Sequence, residues 1–214
     1  MKIYGFVGAI MEVALIMFCF TQLRHCFSTI GEMNMIVLYW LGFTVLTGFW
    51  ELVYLSYRRM INSYANELVK YNQSVWINKY SISMILPWNL SKLFYSEYGA
   101  WADREYKTSA DNWSFTVEGT HCMICGLFSL IALYAKVMGN MEMFYLALGG
   151  GMVSQFMNSL LYMEEYFIQT HLPASVNYDT PNFPCGKDLF KRPFMYVNLF
   201  WMIMPAYAML VYMI

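Results

Sequence analysis

Five stretches of this chain are apolar over the roughly 20 residues that a helix needs to cross a bilayer. They run from Ile3 to Gln22, Met35 to Tyr57, Trp113 to Ala135, Met143 to Phe167 and Pro193 to Ile214. In hydrocarbon every backbone N–H and C=O must find its partner within the segment, so each stretch is constrained to be helical. Composition agrees, with 59% hydrophobic and 13% charged residues in 214, against about 45–50% and about 25% in soluble domains. That balance excludes a soluble fold. The first stretch reads as a true span rather than a cleavable leader, since it has neither a basic leader nor a small-residue cleavage site and contains Glu12. The expectation is one all-α integral membrane domain over 1–214, a five-transmembrane-helix bundle.

Five crossings place the N-terminus, the 58–112 connection and the 168–192 connection on one side. That side carries Lys2, Arg58, Arg59, Lys70, Lys79, Lys92, Arg104, Lys107, Lys187, Lys191 and Arg192, and the other only Arg24 and Lys136. Lys and Arg are retained on the cytoplasmic side, or the matrix side of a mitochondrial membrane. The endoplasmic reticulum is the expected membrane, with the mitochondrial inner membrane as the alternative. Scattered cations and a net charge of -1 leave no basic aromatic face for nucleic acid. The 58–112 connection is too long for a plain loop and too aromatic for disorder. Trp76, Tyr80, Trp88, Phe94, Tyr95, Tyr98 and Trp101 recur through it and Pro87 interrupts it, which predicts short amphipathic helices in the headgroup region.

This topology leaves no loop disulfide, because Cys26 and Cys185 fall on opposite sides and Cys19, Cys122 and Cys125 lie within spans. His121, Cys122 and Cys125 supply at most three metal ligands with no second cluster, and buried Cys ordinarily packs as a small apolar group. Neither a metal nor another cofactor is expected. The sequons at Asn72, Asn89 and Asn112 fall on the inner side and should be unused.

Polar groups inside spans cost a few kcal/mol unless paired or facing a cavity. Glu51 lies near the inner end of the second span. On the third, Glu118, His121, Cys122 and Cys125 stand at i, i+3, i+4 and i+7, a single stripe. Gln155, Asn158 and Tyr162 stripe the fourth, with Glu165 one turn on, and Asn198, Trp201 and Pro205 share a face of the fifth. Meeting of these faces predicts an intramembrane cavity. The plainer alternatives are snorkelling for Glu51 and Glu118, an interfacial place for Glu164 and Glu165, and interhelical hydrogen bonding for Gln155 and Asn158. Glu12 has no partner that the sequence names.

The segment "FTVEGTHCMICGLFSLIALYA", preceded by "YSEYGAWADREY", resembles the third-span region of the emopamil-binding-protein (EXPERA) family, which includes sterol Δ8 to Δ7 isomerases and relatives of the sigma-2 receptor. "LTGFWELVYL", "QFMNSLLYM" and "YVNLFWMIMPAYA" continue the likeness through the other spans, so that it covers about 35–214. The resemblance implies a cavity for a sterol or other apolar lipid, in which a ring double bond shifts by protonation and deprotonation through a carbocation. It assigns Glu118 as the principal proton-transfer carboxyl, Glu51 as a second acid or cation stabiliser, Asn198 as an orienting hydrogen-bond former and Trp201 as a cation-π wall, with Tyr162, Asn158, Gln155 and Thr47 lining the lipid site.

Two departures accompany it. The isomerases carry a histidine four residues before the second-span glutamate, where this chain has Thr47. His121 stands where they usually place a small hydroxyl residue, so a Glu/His pair is either restored from the other wall or the cavity is repurposed. The connection is also some 30 residues longer than in the compact isomerases. Two functions follow: an isomerase of a sterol or related polycyclic lipid using Glu118, Glu51 and His121, or a non-catalytic lipid-binding protein or accessory subunit of a membrane complex. A homodimer or partners within such a complex are compatible with either.

Overall fold

A computed structural model describes residues 1–102, 112–169 and 193–213. The side chains at 112–116, 118, 165–169, 193, 194 and 213 lie outside that description, as do Arg104, Lys107 and the whole 170–192 connection with Cys185. The chain begins with β1 (Lys2–Tyr4), α1 (Gly5–Cys26), the single turn α2 (Ser28–Gly31) and α3 (Met35–Lys70). Next come β2 (Lys79–Ser81), a 3-10 turn (Ile82–Ile85), α4 (Pro87–Glu97) and a π-helical turn (Tyr98–Ala102). The described chain closes with α5 (Asn112–Val137), α6 (Met141–Gln169) and α7 (Pro193–Met213).

Four of these helices are long and apolar enough to cross a bilayer, over Gly5–Cys26, Met35–Lys70, Gly119–Val137 and Met195–Tyr212. The protein is therefore an all-α, membrane-embedded chain. The fourth expected span corresponds to α6, which packs between α5 and α7. Its 29 residues suffice in length, but Gln155, Asn158 and the glycines at 149–151 make it less apolar than the others.

α3 is the spine. Its Asn34 N-cap accepts hydrogen bonds from the Ile36 and Val37 amides, satisfying two orphan donors of the first turn. The same residue donates to Tyr207 and Tyr212 near the end of α7, so these two helices run antiparallel. At 36 residues the helix is about 54 Å long, well beyond a hydrocarbon core of about 30 Å. It bends at Tyr57 (φ -118°, ψ 16°), beside Ser56, whose hydroxyl donates back to the Leu52 carbonyl, an arrangement that bends helices. Beyond the bend the helix continues for 13 residues where short interfacial helices were expected. Ile61, Ala65 and Leu68, one turn apart, bury this extension.

Its other half faces α5. A Cβ on Gly48 would lie 2.9 Å from the Cys122 carbonyl and 3.1 Å from Gly126 Cα, and one on Gly126 would lie 3.3 Å from Gly48 Cα. Small residues thus set a backbone-to-backbone crossing, the device by which helices associate in lipid without a hydrophobic drive. α5 turns into α6 through Gly139, at φ 72°, and Asn140, whose side chain caps α6 by accepting from the Met143 amide. Val37, Leu41, Phe144, Leu148 and Met152 fill the space between α3 and the α5–α6 pair.

α1 lies outside this group, against α3 and the connection. Its Phe6, Ile10, Leu15 and Phe18 are exposed, as residues facing lipid would be. Its start is fastened by the connection, for β1 pairs antiparallel with β2 (Ile3 opposite Tyr80). The Gly5 and Phe6 amides, orphaned at the helix start, donate to the Asn78 and Trp76 carbonyls. Gly5 is required there because a Cβ would collide with the Val75 carbonyl. The N-terminus and the 58–102 connection therefore share one side, as the charge distribution demands. Glu97 closes the connection by accepting from the Ser74 hydroxyl at 2.6 Å and the Val75 amide at 2.8 Å.

Two outcomes follow. Gly48→Val forces α3 and α5 apart and costs about 1–3 kcal/mol, read as a lower thermal midpoint in detergent; an unchanged midpoint would refute the close crossing. Burial raises the Glu97 pKa, against the lowering effect of its two hydrogen bonds. A folded pKa above the unfolded one gives stability that is complete below the unfolded value of about 4.3 and is lost as pH rises through the raised one. Thermal midpoints measured upward from about pH 4 should fall in the wild type, and Glu97→Gln should flatten the decline.

Candidate functional site

On α3, Trp40, Thr44, Thr47 and Glu51 follow one another at intervals of four, three and four residues and so occupy one face. The upper part of that face is closed by a polar loop. Trp40 Nε1 donates to Gln155 Oε1 at 3.1 Å, Gln155 Nε2 donates to Thr44 Oγ1 at 3.0 Å, and Thr44 donates to its own helix at the Trp40 carbonyl at 2.9 Å. Both ends of the Gln155 amide are thereby occupied, and the interhelical reading describes it. Thr47 likewise directs its hydroxyl to the Phe43 and Thr44 carbonyls, each at 3.1 Å. No proton relay runs through that hydroxyl in this arrangement.

Glu51 is buried, with 6% of its surface exposed, which answers the snorkelling alternative for this residue. Tyr95 of α4 donates to its Oε1 at 2.6 Å. The Tyr95 ring is itself buried against Tyr54 and Phe94. Burial first, and the Glu51 carboxyl second, push its phenol well above the usual range, so it stays protonated and serves as the donor.

Across the α3–α5 crossing, His121 Nε2 lies 3.0 Å from the Ser154 carbonyl, 2.9 Å from Ser154 Oγ and 3.4 Å from Cys125 Sγ. A carbonyl only accepts, so its partner Nε2 carries a proton. Nδ1 is buried with no hydrogen-bond partner among the described residues. Gly48, one turn before Glu51, meets the Cys122 carbonyl, so the crossing brings the Glu51–Tyr95 pair to the level of the His121–Cys122 turn of α5.

Glu118 is placed one helical turn before His121 on α5, but its side chain lies outside the described residues, as does that of Glu165. Tyr162 is buried, and Asn158 and Asn198 are half-buried. Trp201 stacks on Phe43 at 5.7 Å between centroids and tilts against Trp40 at 4.7 Å, making an aromatic wall between α3 and α7. An open pocket of about 400 Å³ lies on the far side of that wall, lined by Phe20 of α1 and by Tyr39, Trp40, Phe43 and Phe200. A second, of about 580 Å³, lies between the α3 extension and α4. Neither is lined by Glu51 or His121.

Cys19, Cys26, Cys122 and Cys125 carry thiols rather than disulfides. Among the described residues no group of three His, Cys, Asp or Glu is placed to hold a metal. Glu12, 1% exposed, receives a hydrogen bond from Trp50 Nε1 at 3.1 Å, the partner that sequence left unnamed. Tyr95 and Ser154 had not been singled out. Ser154 shares the polar run with Gln155, whereas nothing in the spacing of a connection residue could announce that Tyr95 reaches into a span.

Compared with known proteins, the chain matches no family model, no curated protein and no solved structure. Removing one partner of a buried hydrogen bond strands the other at about 1–3 kcal/mol. Tyr95→Phe should lower the unfolding midpoint, and adding Glu51→Gln should cost less than the sum of the two single changes. Strict additivity would show that the pair does not interact.

Proposed function

We propose that the protein handles an apolar polycyclic lipid, of sterol type, within the membrane and shifts a ring double bond by proton transfer. The observation that carries this reading is the buried Glu51 carboxyl, held by Tyr95, on one side of the Gly48–Gly126 contact, with a buried histidine whose Nδ1 has no described hydrogen-bond partner on the helix across it. Packing alone gives no reason to bury both a carboxyl and an imidazole at intramembrane cost. The reaction needs an acid to protonate one alkene carbon, a surround that tolerates the resulting carbocation, and a base to remove a proton from the adjacent position. One proton is added and one lost, so the lipid is isomerised without a co-reactant. Glu51 and Glu118 are the carboxyls in this scheme, His121 the auxiliary base, Asn198 the orienting group, and Trp201 with Trp40 and Phe43 the aromatic surround for the cation.

The resemblance to the EXPERA family supports the same assignment, and with it a five-span bundle in which α6 is the additional crossing, the connection lies at the headgroups and the membrane is that of the endoplasmic reticulum. A second reading is favoured by a specific observation. The Gln155 amide and the Thr47 hydroxyl are both fully engaged in helix contacts, as befits a non-catalytic lipid binder or an accessory subunit, in the mitochondrial inner membrane as well as in the endoplasmic reticulum.

Expression in a sterol-isomerase-deficient yeast, with sterols profiled by mass spectrometry, separates the two. The isomerase reading expects Δ7 sterols to reappear, at least about 100-fold less with Glu51→Gln or Glu118→Gln, the scale of a lost general acid or base, and undiminished with Glu32→Gln in the exposed turn before α3. Persistent Δ8 sterols beside abundant protein would reject it in favour of the second reading.

A further inference from the structure

The open pocket of about 400 Å³ is a slot between two facing helix ridges. Val13, Met17 and Phe20 line it from α1, and Ile36, Phe43 and Leu46 from α3, at spacings that keep each set on one helix face. Such ridges ordinarily interdigitate, and a gap between them forfeits dispersion contacts on both walls. Val13, Met17 and Ile36 are also exposed, so the slot is continuous with the surface that a membrane-embedded chain turns to lipid.

Two hydrogen bonds bracket the slot. At one end the Thr21 and Tyr39 hydroxyls meet at 2.7 Å, and at the other Trp50 Nε1 donates to Glu12 at 3.1 Å. The two helices therefore run antiparallel, and the bonds stand nine residues apart on α1 and eleven apart on α3, about 14–16 Å at 1.5 Å per residue. That is half of a hydrocarbon core of about 30 Å, the depth of one leaflet. Joined above and below, α1 and α3 do not part to admit another helix. Tyr39 and Trp40 bring the only side-chain oxygen and nitrogen of the lining, and both are engaged. Thr21 donates to the Met17 carbonyl, so Tyr39 donates to Thr21, while Trp40 Nε1 donates to Gln155. A headgroup or a sterol hydroxyl thus finds no free donor. The walls mix rings with Val, Ile and Met side chains, an uneven relief that a flexible methylene chain follows and a rigid fused-ring plane does not.

We propose that the slot binds one acyl chain of a phospholipid in the leaflet farther from the N-terminus and the 58–102 connection. The ester end lies at Thr21 and Tyr39, toward the close of α1 and the start of α3, and the methyl end lies toward Glu12 and Trp50. The chain restores the dispersion contacts that the two ridges forgo. Neither Glu51 nor His121 lines the slot, and the assignment does not rest on the isomerase reading, so either stands if the other fails.

The test places the full-length protein in phosphatidylcholine vesicles doped with phosphatidylcholine that carries a photoreactive diazirine in one acyl chain, and locates the adducts by mass spectrometry. Residues 13–20 and 36–46 should be labelled at least about ten-fold more than the exposed Leu146 and Leu161 of α6, the ratio that about 1.4 kcal/mol of retention gives. A diazirine near the ester should mark the Tyr39 end, and one near the terminal methyl the Leu46 end. Val13→Trp and Met17→Trp, at exposed positions of α1, should fill the slot and remove the excess labelling while leaving the thermal midpoint in place. Labelling no greater than that of α6 would overturn the proposal, as would excess labelling that persists in both variants. A reversed order of the two diazirines would overturn the leaflet. A photoreactive sterol that labels the slot more strongly than the phospholipid would overturn the acyl chain as its occupant.

Discussion

Gly48 and Gly126 allow the backbones of α3 and α5 to approach until a Cβ on either would press on the other helix, and the polar arrangement is built outward from that contact. Glu51 lies one turn beyond Gly48, and His121 and Cys122 lie about one turn before Gly126. With larger residues at the crossing the two stripes would stand further apart. In lipid, where apolar side chains gain little by leaving the solvent, such close packing carries much of the association that hydrophobic burial carries in water. A structural choice at two glycines is in this way also a chemical one.

The same low-dielectric setting explains how the buried polar side chains are matched. Glu12 on α1 is met by Trp50 on α3, Glu51 on α3 by Tyr95 on α4, and Gln155 on α6 by Trp40 and Thr44 on α3. Each bond joins two elements, and three of the four have an end on the Trp40–Glu51 half of α3 from an indole or carboxyl. An unpaired group at these positions would cost far more than the bond itself contributes. Matching therefore specifies which face of each helix turns inward at sites where apolar packing alone would tolerate several rotations.

How much of this was legible in the sequence depended on whether the signal was local. Four of the spans were legible as continuous apolar runs, and the shared face of Gln155, Asn158 and Tyr162 on α6 from spacing alone. The helical extension of α3 was also open to reading, through Ile61, Ala65 and Leu68, but the aromatic content of the connection pointed to shorter pieces. The pairing of β1 with β2 was not, since three-residue strands 77 positions apart (Ile3 opposite Tyr80) leave no pattern within a window. Tyr95 escaped for the same reason, as its role depends on α4 folding back against α3. Gln155 was placed on the right face, yet whether its amide lined a cavity or joined two helices was decided by Trp40 and Thr44, residues whose spacing to it is visible only in three dimensions.

α1 shows what these constraints imply together. Most of its length is exposed, and among the spanning helices it buries the smallest share. It is nevertheless fastened at three levels: by strand pairing and the Trp76 and Asn78 carbonyls at its start, by Glu12 and Trp50 in its middle, and by the Thr21 hydroxyl, 2.7 Å from the Tyr39 hydroxyl, toward its end. The 400 Å³ cavity lies between the last two of these, with α1 as one wall and the Trp40, Phe43 and Phe200 aromatics as the others. A helix held by polar contacts above and below an apolar gap keeps that gap open where side-chain packing by itself would close it. The buried Glu12 carboxyl, which costs energy as an isolated feature, is accounted for by what it holds apart as well as by what it joins.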